Sequence, residues 1–288
     1  MDSLLGAEIL KTRKRWMPYV ILLFLIVGTA VLIWLAGYLS WREETDPAFR
    51  RDALRIFAFP WSIPALLDAG QFWGAFVVGI LAASSVGTEH GWGTVRQAIV
   101  RGQSRSKYLA IKLLGVTIMS AVILLIGLAV GVGFSFIASS LADQRITLDV
   151  PGGPSVPEIG LMVLRAGFAI VPYGMLAFCL GVLSRSTSLG VTGGLIFLFG
   201  EAIALAILTT IGGVAADARE LAIGHNVAAL LTANGIGEPP DLWVLAPRDR
   251  LLASELPNPN IAGFVLALWS FAFGAIAFYV FQHRDLKA

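Results

Sequence analysis

The sequence predicts an all-helical, polytopic membrane protein, and two properties of its composition indicate this before any motif does. Hydrophobic residues make up 57% of the chain and charged residues only 14%, with a mean hydropathy of +0.78. Soluble domains carry about 25% charged residues, so this chain is too apolar to be one. Its 288 residues contain six apolar runs separated by polar stretches, which predicts six transmembrane helices in one bundle.

Residues 1–15 are predicted to form an amphipathic helix on the membrane surface. Leucines and isoleucines alternate with polar positions there, and the segment ends in the basic residues Lys11, Arg13, Lys14 and Arg15. The apolar run that follows is too long for a secretory signal and has no small-residue cleavage site. We therefore expect this helix to be retained.

Residues 16–288 are predicted to form a single transmembrane domain. Its spans lie at about 16–39, 62–87, 109–139, 159–183, 188–211 and 261–281. The segments between them are a mixed-charge loop at 40–61, a loop at 88–108, a turn-rich loop at 143–158, and a long loop at 212–260 with a helix predicted over 214–233 and a proline-rich remainder. The turn at 184–187 is so short that the fourth and fifth spans should be antiparallel neighbours.

The distribution of charge predicts the orientation of the chain. Twelve basic and four acidic residues lie on the side of the termini, whereas eight basic and fourteen acidic residues lie on the other side. Basic residues accumulate on the cytoplasmic side of membrane proteins. Both termini and the 88–108 loop are therefore expected in the cytoplasm of a multi-pass protein of the cell (inner or plasma) membrane, and the 212–260 loop outside.

The 88–108 loop is the most informative stretch of the chain. If residues 94–101 are helical, Val95, Ala98 and Ile99 share one face, which Trp92 can extend, while Arg96 lies elsewhere. Glycines at 91, 93 and 102 bracket this helix with bends, and the serine at 104 can cap the helix that follows. A short amphipathic helix at a membrane surface needs a partner or lipid.

These features together resemble the type-2 permease family of ATP-binding-cassette exporters. The resemblance rests on Glu89-x-x-x-Gly93-Thr94 followed by Arg101-Gly102-Gln103-Ser104-Arg105, between the second and third spans. It also rests on the six-span topology, the basic N-terminal helix and the long loop before the last span. It implies that the 88–105 segment is a cytoplasmic coupling helix that docks into a separate ATPase subunit. The implied contact residues are Glu89, Trp92, Gly93, Thr94, Val95, Arg96, Ile99, Arg101 and Arg105.

The resemblance also implies how the assembly is composed. The chain has no G-x-x-x-x-G-K-[ST] phosphate loop, so we expect it to be no enzyme itself and to bind no cofactor. ATP and magnesium would be bound by the partner ATPase. A second permease copy or a paralogue, together with membrane lipid, would complete the complex, and no nucleic acid is expected. The chain lacks the Glu-Ala-Ala loop of importers, which favours outward transport of an amphipathic or hydrophobic substrate. The alternative is a basic interfacial loop with no such partner, and the transporter interpretation is favoured over it.

Two charged residues fall inside predicted spans. Glu201 lies near the middle of the fifth span and Arg165 lies near the outer end of the fourth. Charges at this depth face protein or water. We hypothesise that the two residues form an intramembrane polar pair or line one polar pocket. The alternative, that Glu201 is protonated or hydrogen-bonded within the bundle, stays open.

Two other function classes are alternatives. A stand-alone secondary transporter would use Glu201 as an ion-coupling site. A membrane-embedded enzyme is disfavoured, because no predicted span holds a nucleophile with a histidine base. No catalytic residue and no metal site are expected, since the three histidines are scattered and Cys179 is the single cysteine.

Small-residue repeats occur at 70–74, 127–131 and 190–194, where glycines recur every fourth residue. Such repeats let helices approach closely, either within one subunit or at a dimer seam. Packing within the subunit is the favoured interpretation.

Overall fold

A computed structural model describes residues 2–148, 154–211, 218–234 and 256–284 of the chain. Within these ranges all regular structure is helical. The helices in chain order are α1 (Asp2–Arg13), α2 (Trp16–Thr29), α3 (Ala36–Glu43), α4 (Pro47–Phe57), α5 (Ser62–Gly91), α6 (Thr94–Val100), α7 (Arg105–Leu141), α8 (Val156–Ser184), α9 (Thr187–Ile211), α10 (Ile223–Thr232) and α11 (Pro259–His283). A π-helical stretch, Ala30–Leu35, joins α2 to α3, and a 3-10 turn, Ala218–Leu221, precedes α10.

Five of these helices are long and apolar enough to cross a membrane: α5, α7, α8, α9 over Thr187–Leu205, and α11. The protein therefore has the all-helical, multi-pass membrane architecture that the sequence predicts. The observed helices extend a few residues beyond the predicted spans, because backbone hydrogen bonding continues into polar residues past the apolar run. α5 thus ends at Gly91 rather than at 87, and α7 begins at Arg105 rather than at 109.

The first predicted span, 16–39, is a helix that changes its pitch half-way. α2 passes without a break into the π-helical stretch and then into α3, so that the helix continues to Glu43. The Thr29 hydroxyl donates to the carbonyls of Leu25 (2.8 Å) and Ile26 (3.0 Å) at the point where the pitch changes. Such back-bonding competes with the regular ladder and bends helices. Further on, the Trp34 indole donates to the Ser135 hydroxyl of α7 at 3.1 Å.

α5 and α8 lie side by side at the centre of the bundle and run parallel. A Cβ added to Gly74 of α5 would lie 2.5 Å from Ile170 of α8, and one added to Gly181 of α8 would lie 3.1 Å from Ala83 of α5. The glycines of the three small-residue repeats that pack against other helices of the same chain are Gly74, Gly127, Gly131, Gly190 and Gly194. Packing within the subunit therefore accounts for these five.

The bundle has two distinct ends. The α6 end, as we name it, comprises residues 2–15, 84–112, 180–190 and 278–284. Here Arg15 donates to the Thr88 hydroxyl (3.1 Å), and Arg284 donates to the carbonyl of Leu183 (2.5 Å). At the opposite end the backbone N–H of Phe59 donates to the Ser139 hydroxyl (2.8 Å). Successive long helices therefore alternate in direction, as expected for short connections.

Besides α1 and α6, the described part of the chain has two α-helices outside the predicted spans. α4 occupies part of the 40–61 loop, and α10 occupies part of the 212–260 loop. The helix predicted over 214–233 is interrupted at 222: a 3-10 turn ends at Leu221 and α10 begins at Ile223, while 214–217 lie outside the described residues. α10 is buried along its length against α8 and α11. The proline-rich segment at 235–255 lies outside the described residues.

Candidate functional site at the α6 end

α6 is a two-turn helix held between two glycine bends. Gly93 at its start has a φ of 69° and Gly102 after its end has a φ of 89°, a region that L side chains rarely adopt. The backbone N–H of Lys107 approaches the Ser104 hydroxyl at 3.4 Å at the start of α7, so the predicted cap is present. The bends at Gly93 and Gly102 therefore bound a helix over Thr94–Val100, one residue shorter than the predicted 94–101.

One face of α6 packs against the bundle. Val95 is buried, and Ala98 and Ile99 are packed against the main hydrophobic core. These are the three residues whose spacing predicts a shared face. The opposite face is open: Arg96 is exposed, and Val100 is 80% exposed. Val95 and Ile99 therefore fix α6 to its own chain, Val95 as a buried residue and Ile99 as a partly buried one.

Trp92 departs from the prediction. It was expected to extend the apolar face of α6, but its side chain is 65% exposed. The guanidinium of Arg15 lies over its indole ring at 5.1 Å from the centroid, a cation–π contact. Trp92 therefore belongs to the outer surface of the α6 end together with Arg96, Gln97, Val100 and Arg101, all of which are exposed.

An ionic cluster centred on the buried carboxylate of Glu89 lies behind α6. We call it the Glu89 cluster, and its members are Glu8, Lys11, Arg15, Glu89, Tyr108 and Lys112. The Glu89 carboxylate accepts hydrogen bonds from Lys11 and Tyr108 and lies 2.5 Å from the Lys112 ammonium. Arg15 lies 3.9 Å from the same carboxylate. Glu89 and Lys112 are both buried.

Glu8 completes the balance of charge in the Glu89 cluster. Its carboxylate lies 2.5 Å from Lys112 and 3.6 Å from Lys11. Two acidic groups are thus matched by three cations contributed by α1, the α1–α2 junction and α7. Buried charges are tolerated when they are paired and hydrogen-bonded. The cluster therefore joins the N-terminal helix to the end of α5 and the beginning of α7.

Glu89 and Arg105 have roles other than the surface contact that the family resemblance implies. Glu89 is covered by its cationic neighbours and cannot reach a partner at the surface. Arg105 donates to the carbonyls of Gln282 (2.8 Å) and Arg284 (2.9 Å) at the end of α11. A cation at a helix C-terminus satisfies free carbonyls and the helix dipole. Both residues therefore position the α6 end.

Sequence reasoning did not single out the partners of Glu89. Lys112 and Tyr108 are four residues apart on α7, which places them on one helix face. A lysine inside an otherwise apolar run was a usable signal, because a charge there requires a partner. Glu8 and Lys11 carried no comparable signal, since surface helices commonly contain such pairs.

Arg165 and Glu201 are not joined by an ion pair in the part of the chain that the structure describes. Arg165 donates to the carbonyl of Ala233 (2.7 Å) and to the side-chain oxygen of Asn234 (3.3 Å), just beyond the end of α10. The Glu201 carboxylate accepts from the Tyr173 hydroxyl (3.0 Å) and from backbone N–H groups at the start of α10, Ile223 and Gly224. The two charges therefore bind opposite ends of one short buried helix.

Groups of three or more histidine, cysteine or acidic side chains that could hold a metal ion are absent from the described ranges. The α6 end thus has an exposed helix face with the Glu89 cluster behind it.

The comparison with protein families gives one match. The family described as "Protein of unknown function (DUF2705)" matches residues 63–213, which is just over half of the chain. The chain belongs to this family. The matched region begins in α5, includes α6 and Glu89, and ends after α9. No curated protein matches the chain.

Proposed function

We propose that this DUF2705 member is the permease subunit of an ATP-binding-cassette exporter, driven by a separate ATPase subunit that docks on α6. The observation that carries the proposal is the presentation of α6. Its apolar face is packed against its own bundle, while Trp92, Arg96, Val100 and Arg101 form an exposed outer surface. A short rigid helix with such a surface is suited to a protein groove.

The support behind α6 favours transmission of force. Glu89 precedes α6 by only a few residues and is bound to Lys11 of α1 and Lys112 of α7. A displacement of α6 by a closing ATPase would therefore reach α1, α5 and α7 together. ATP and magnesium would be bound by the partner, and this chain would supply the route. Five long apolar helices and the continuous helix from Trp16 to Glu43 would give six spans.

The orientation required by the proposal agrees with the charge distribution. Twelve basic residues against four acidic ones lie on the side of the termini, which is the side of α6. This distribution favours a cytoplasmic α6, on the side where ATP is available. Two copies, or this chain and a paralogue, would enclose the route at their interface. The scarcity of charge in the spans favours an amphipathic or hydrophobic substrate.

The test is capture of the ATPase by tagged protein purified in mild detergent from its native host. Wild type should recover a polypeptide with a G-x-x-x-x-G-K-[ST] motif. Val100→Asp and Arg96→Glu should lose it while keeping the elution volume and melting temperature of wild type, because both side chains are exposed. Thr45→Asp is the control, since Thr45 is exposed at the opposite end.

The contrary outcomes are equally specific. If wild type recovers no ATPase under conditions that preserve membrane complexes, the proposed coupling role of α6 is wrong. If folded Val100→Asp and Arg96→Glu variants still recover it, the docking surface lies elsewhere. A secondary transporter would instead move substrate in liposomes with an ion gradient and no ATP. That activity should then disappear in Glu201→Gln.

A further inference from the structure

An apolar cleft of about 220 Å³ lies within the bundle, away from the α6 end. Its floor is α5, and α2, α7 and α8 form its sides. α7 packs against α5 and α8 packs extensively against α5, whereas α7 and α8 barely touch each other. We call this opening the α7–α8 cleft.

The lining of the α7–α8 cleft offers nothing to a polar ligand. Among the described residues that line it, the one polar side chain is Thr29, whose hydroxyl already donates to the carbonyls of Leu25 and Ile26. A buried water needs two to four polar partners, and cavities without them stay dry. The cleft is therefore selective for hydrocarbon.

Glycines create the space in this cleft. A Cβ added to Gly70 of α5 or to Gly167 of α8 would meet no atom within 4 Å, and both glycines line the cleft. Four residues after Gly70, a Cβ on Gly74 would lie 2.5 Å from Ile170. Gly74 thus allows close packing of two helices, whereas Gly70 and Gly167 leave space that no side chain of the bundle fills.

The mouth of the cleft faces the side of the bundle, in the half that lies away from the α6 end. Gly70 is eight residues into α5 and Gly167 is eleven residues into α8, which is roughly 12 and 16 Å from those helix ends at 1.5 Å per residue. Leu125, which also lines the cleft, is 55% exposed, and Gly167 is exposed. In a hydrocarbon core about 30 Å thick, the medium at this height is lipid acyl chain.

We propose that the α7–α8 cleft binds one acyl chain of a membrane lipid. The volume selects the ligand: an apolar cavity of about 150 Å³ accepts benzene, whereas drug-sized ligands occupy roughly 300–1,000 Å³. At about 220 Å³ the cleft holds a segment of a single chain and not a whole drug-sized molecule. The proposal rests on the cleft alone and does not depend on coupling to an ATPase.

The test uses photoactivatable phosphatidylcholine, with a diazirine in the middle of one acyl chain, and the full chain in liposomes. Peptide mapping after illumination should place the label preferentially on residues 121–128 and 163–170. Gly70→Leu and Gly167→Leu should reduce cleft labelling to the level of the rest of the lipid-facing surface.

The matched control is Gly200→Leu, because Gly200 is exposed on α9, also has open space at its Cβ position and does not line the cleft. Melting temperatures no lower than that of wild type would show that the leucine variants are folded. Gly70→Ala adds a smaller side chain to the cleft and serves as a milder variant. Uniform labelling of all lipid-facing helices, or cleft labelling unchanged in folded Gly70→Leu and Gly167→Leu, would overturn the proposal. Cleft labelling by a diazirine fatty acid but not by the phospholipid would overturn the lipid assignment in favour of a free amphiphile.

Discussion

Glu89 shows at the residue scale why a charged side chain near a membrane cannot be interpreted from its own position. The motif that contains it implies a surface contact, yet its carboxylate is buried beneath Lys11, Tyr108 and Lys112. Its geometry is therefore that of a positioning residue. The exposed side chains of the same loop, Arg96 and Val100, are the ones that a partner can reach.

Removing the Glu89 charge should destabilise the protein. Breaking a buried ion pair by neutralising one partner typically costs about 3–5 kcal/mol. We expect Glu89→Gln to fall near the lower limit, because Glu8 still lies 2.5 Å from Lys112. The measurement is the free energy of unfolding, or the melting temperature, in detergent. Glu43→Gln is the control, since Glu43 is exposed.

A second substitution separates ionic coupling from loss of packing. The double variant Glu89→Gln/Lys112→Met should recover part of the lost stability, because it removes the cation that Glu89 neutralised. Strictly additive losses from Glu89→Gln and Lys112→Met would contradict the ionic role of the Glu89 cluster.

At the element scale, α10 shows how two costly charges can serve one purpose. Glu201 accepts from the first N–H groups of α10, and Arg165 donates to the carbonyl that follows its end. A carboxylate at a helix N-terminus and a guanidinium at its C-terminus both complement the helix dipole and satisfy free backbone groups. This arrangement explains the two charges without any direct contact between them.

Loss of either charge should loosen α10. A hydrogen bond to a charged group is worth about 1.5–3 kcal/mol, so local opening should become roughly tenfold or more frequent. We expect Arg165→Met and Glu201→Leu to accelerate hydrogen exchange over 223–232. Exchange over α6 should stay unchanged in the same samples. Unchanged exchange over 223–232 in both variants would show that the two charges do not stabilise α10.

At the scale of the whole molecule, the bundle separates two chemically different ends. The α6 end carries the Glu89 cluster and the exposed basic surface, and the opposite end carries α4. The long helices alternate in direction, which fixes which loops share an end of the bundle. If the side of the membrane on which one loop lies is known, the sides of all the other loops follow. The excess of basic residues predicts a cytoplasmic α6 end.

The orientation can be measured by cysteine labelling in a Cys179→Ala background. Gln97 and Thr45 are both exposed and lie at opposite ends of the bundle. A membrane-impermeant maleimide should label Thr45→Cys in intact cells and Gln97→Cys only after permeabilisation. The reverse pattern would put α6 outside and would exclude a cytoplasmic ATPase as its partner.

Much of the architecture could be predicted from local sequence. Long apolar runs predict the long helices, because every backbone polar group within a membrane must be satisfied inside its own helix. Spacing predicts the buried face of α6 at Val95, Ala98 and Ile99, and glycine predicts the two bends at 93 and 102, where φ is positive. These properties depend only on residues within a few positions of each other.

Contacts between distant residues were decided by the tertiary structure alone. These contacts join segments that lie far apart in the sequence. Glu8 pairs with Lys112, Arg105 binds the end of α11, and Arg165 and Glu201 bind the two ends of α10. A charge in a membrane helix establishes that some partner must exist, but the packing of the helices selects which one. The α7–α8 cleft has the same origin, because whether a glycine such as Gly70 contacts a neighbour or leaves a space depends on how three helices meet.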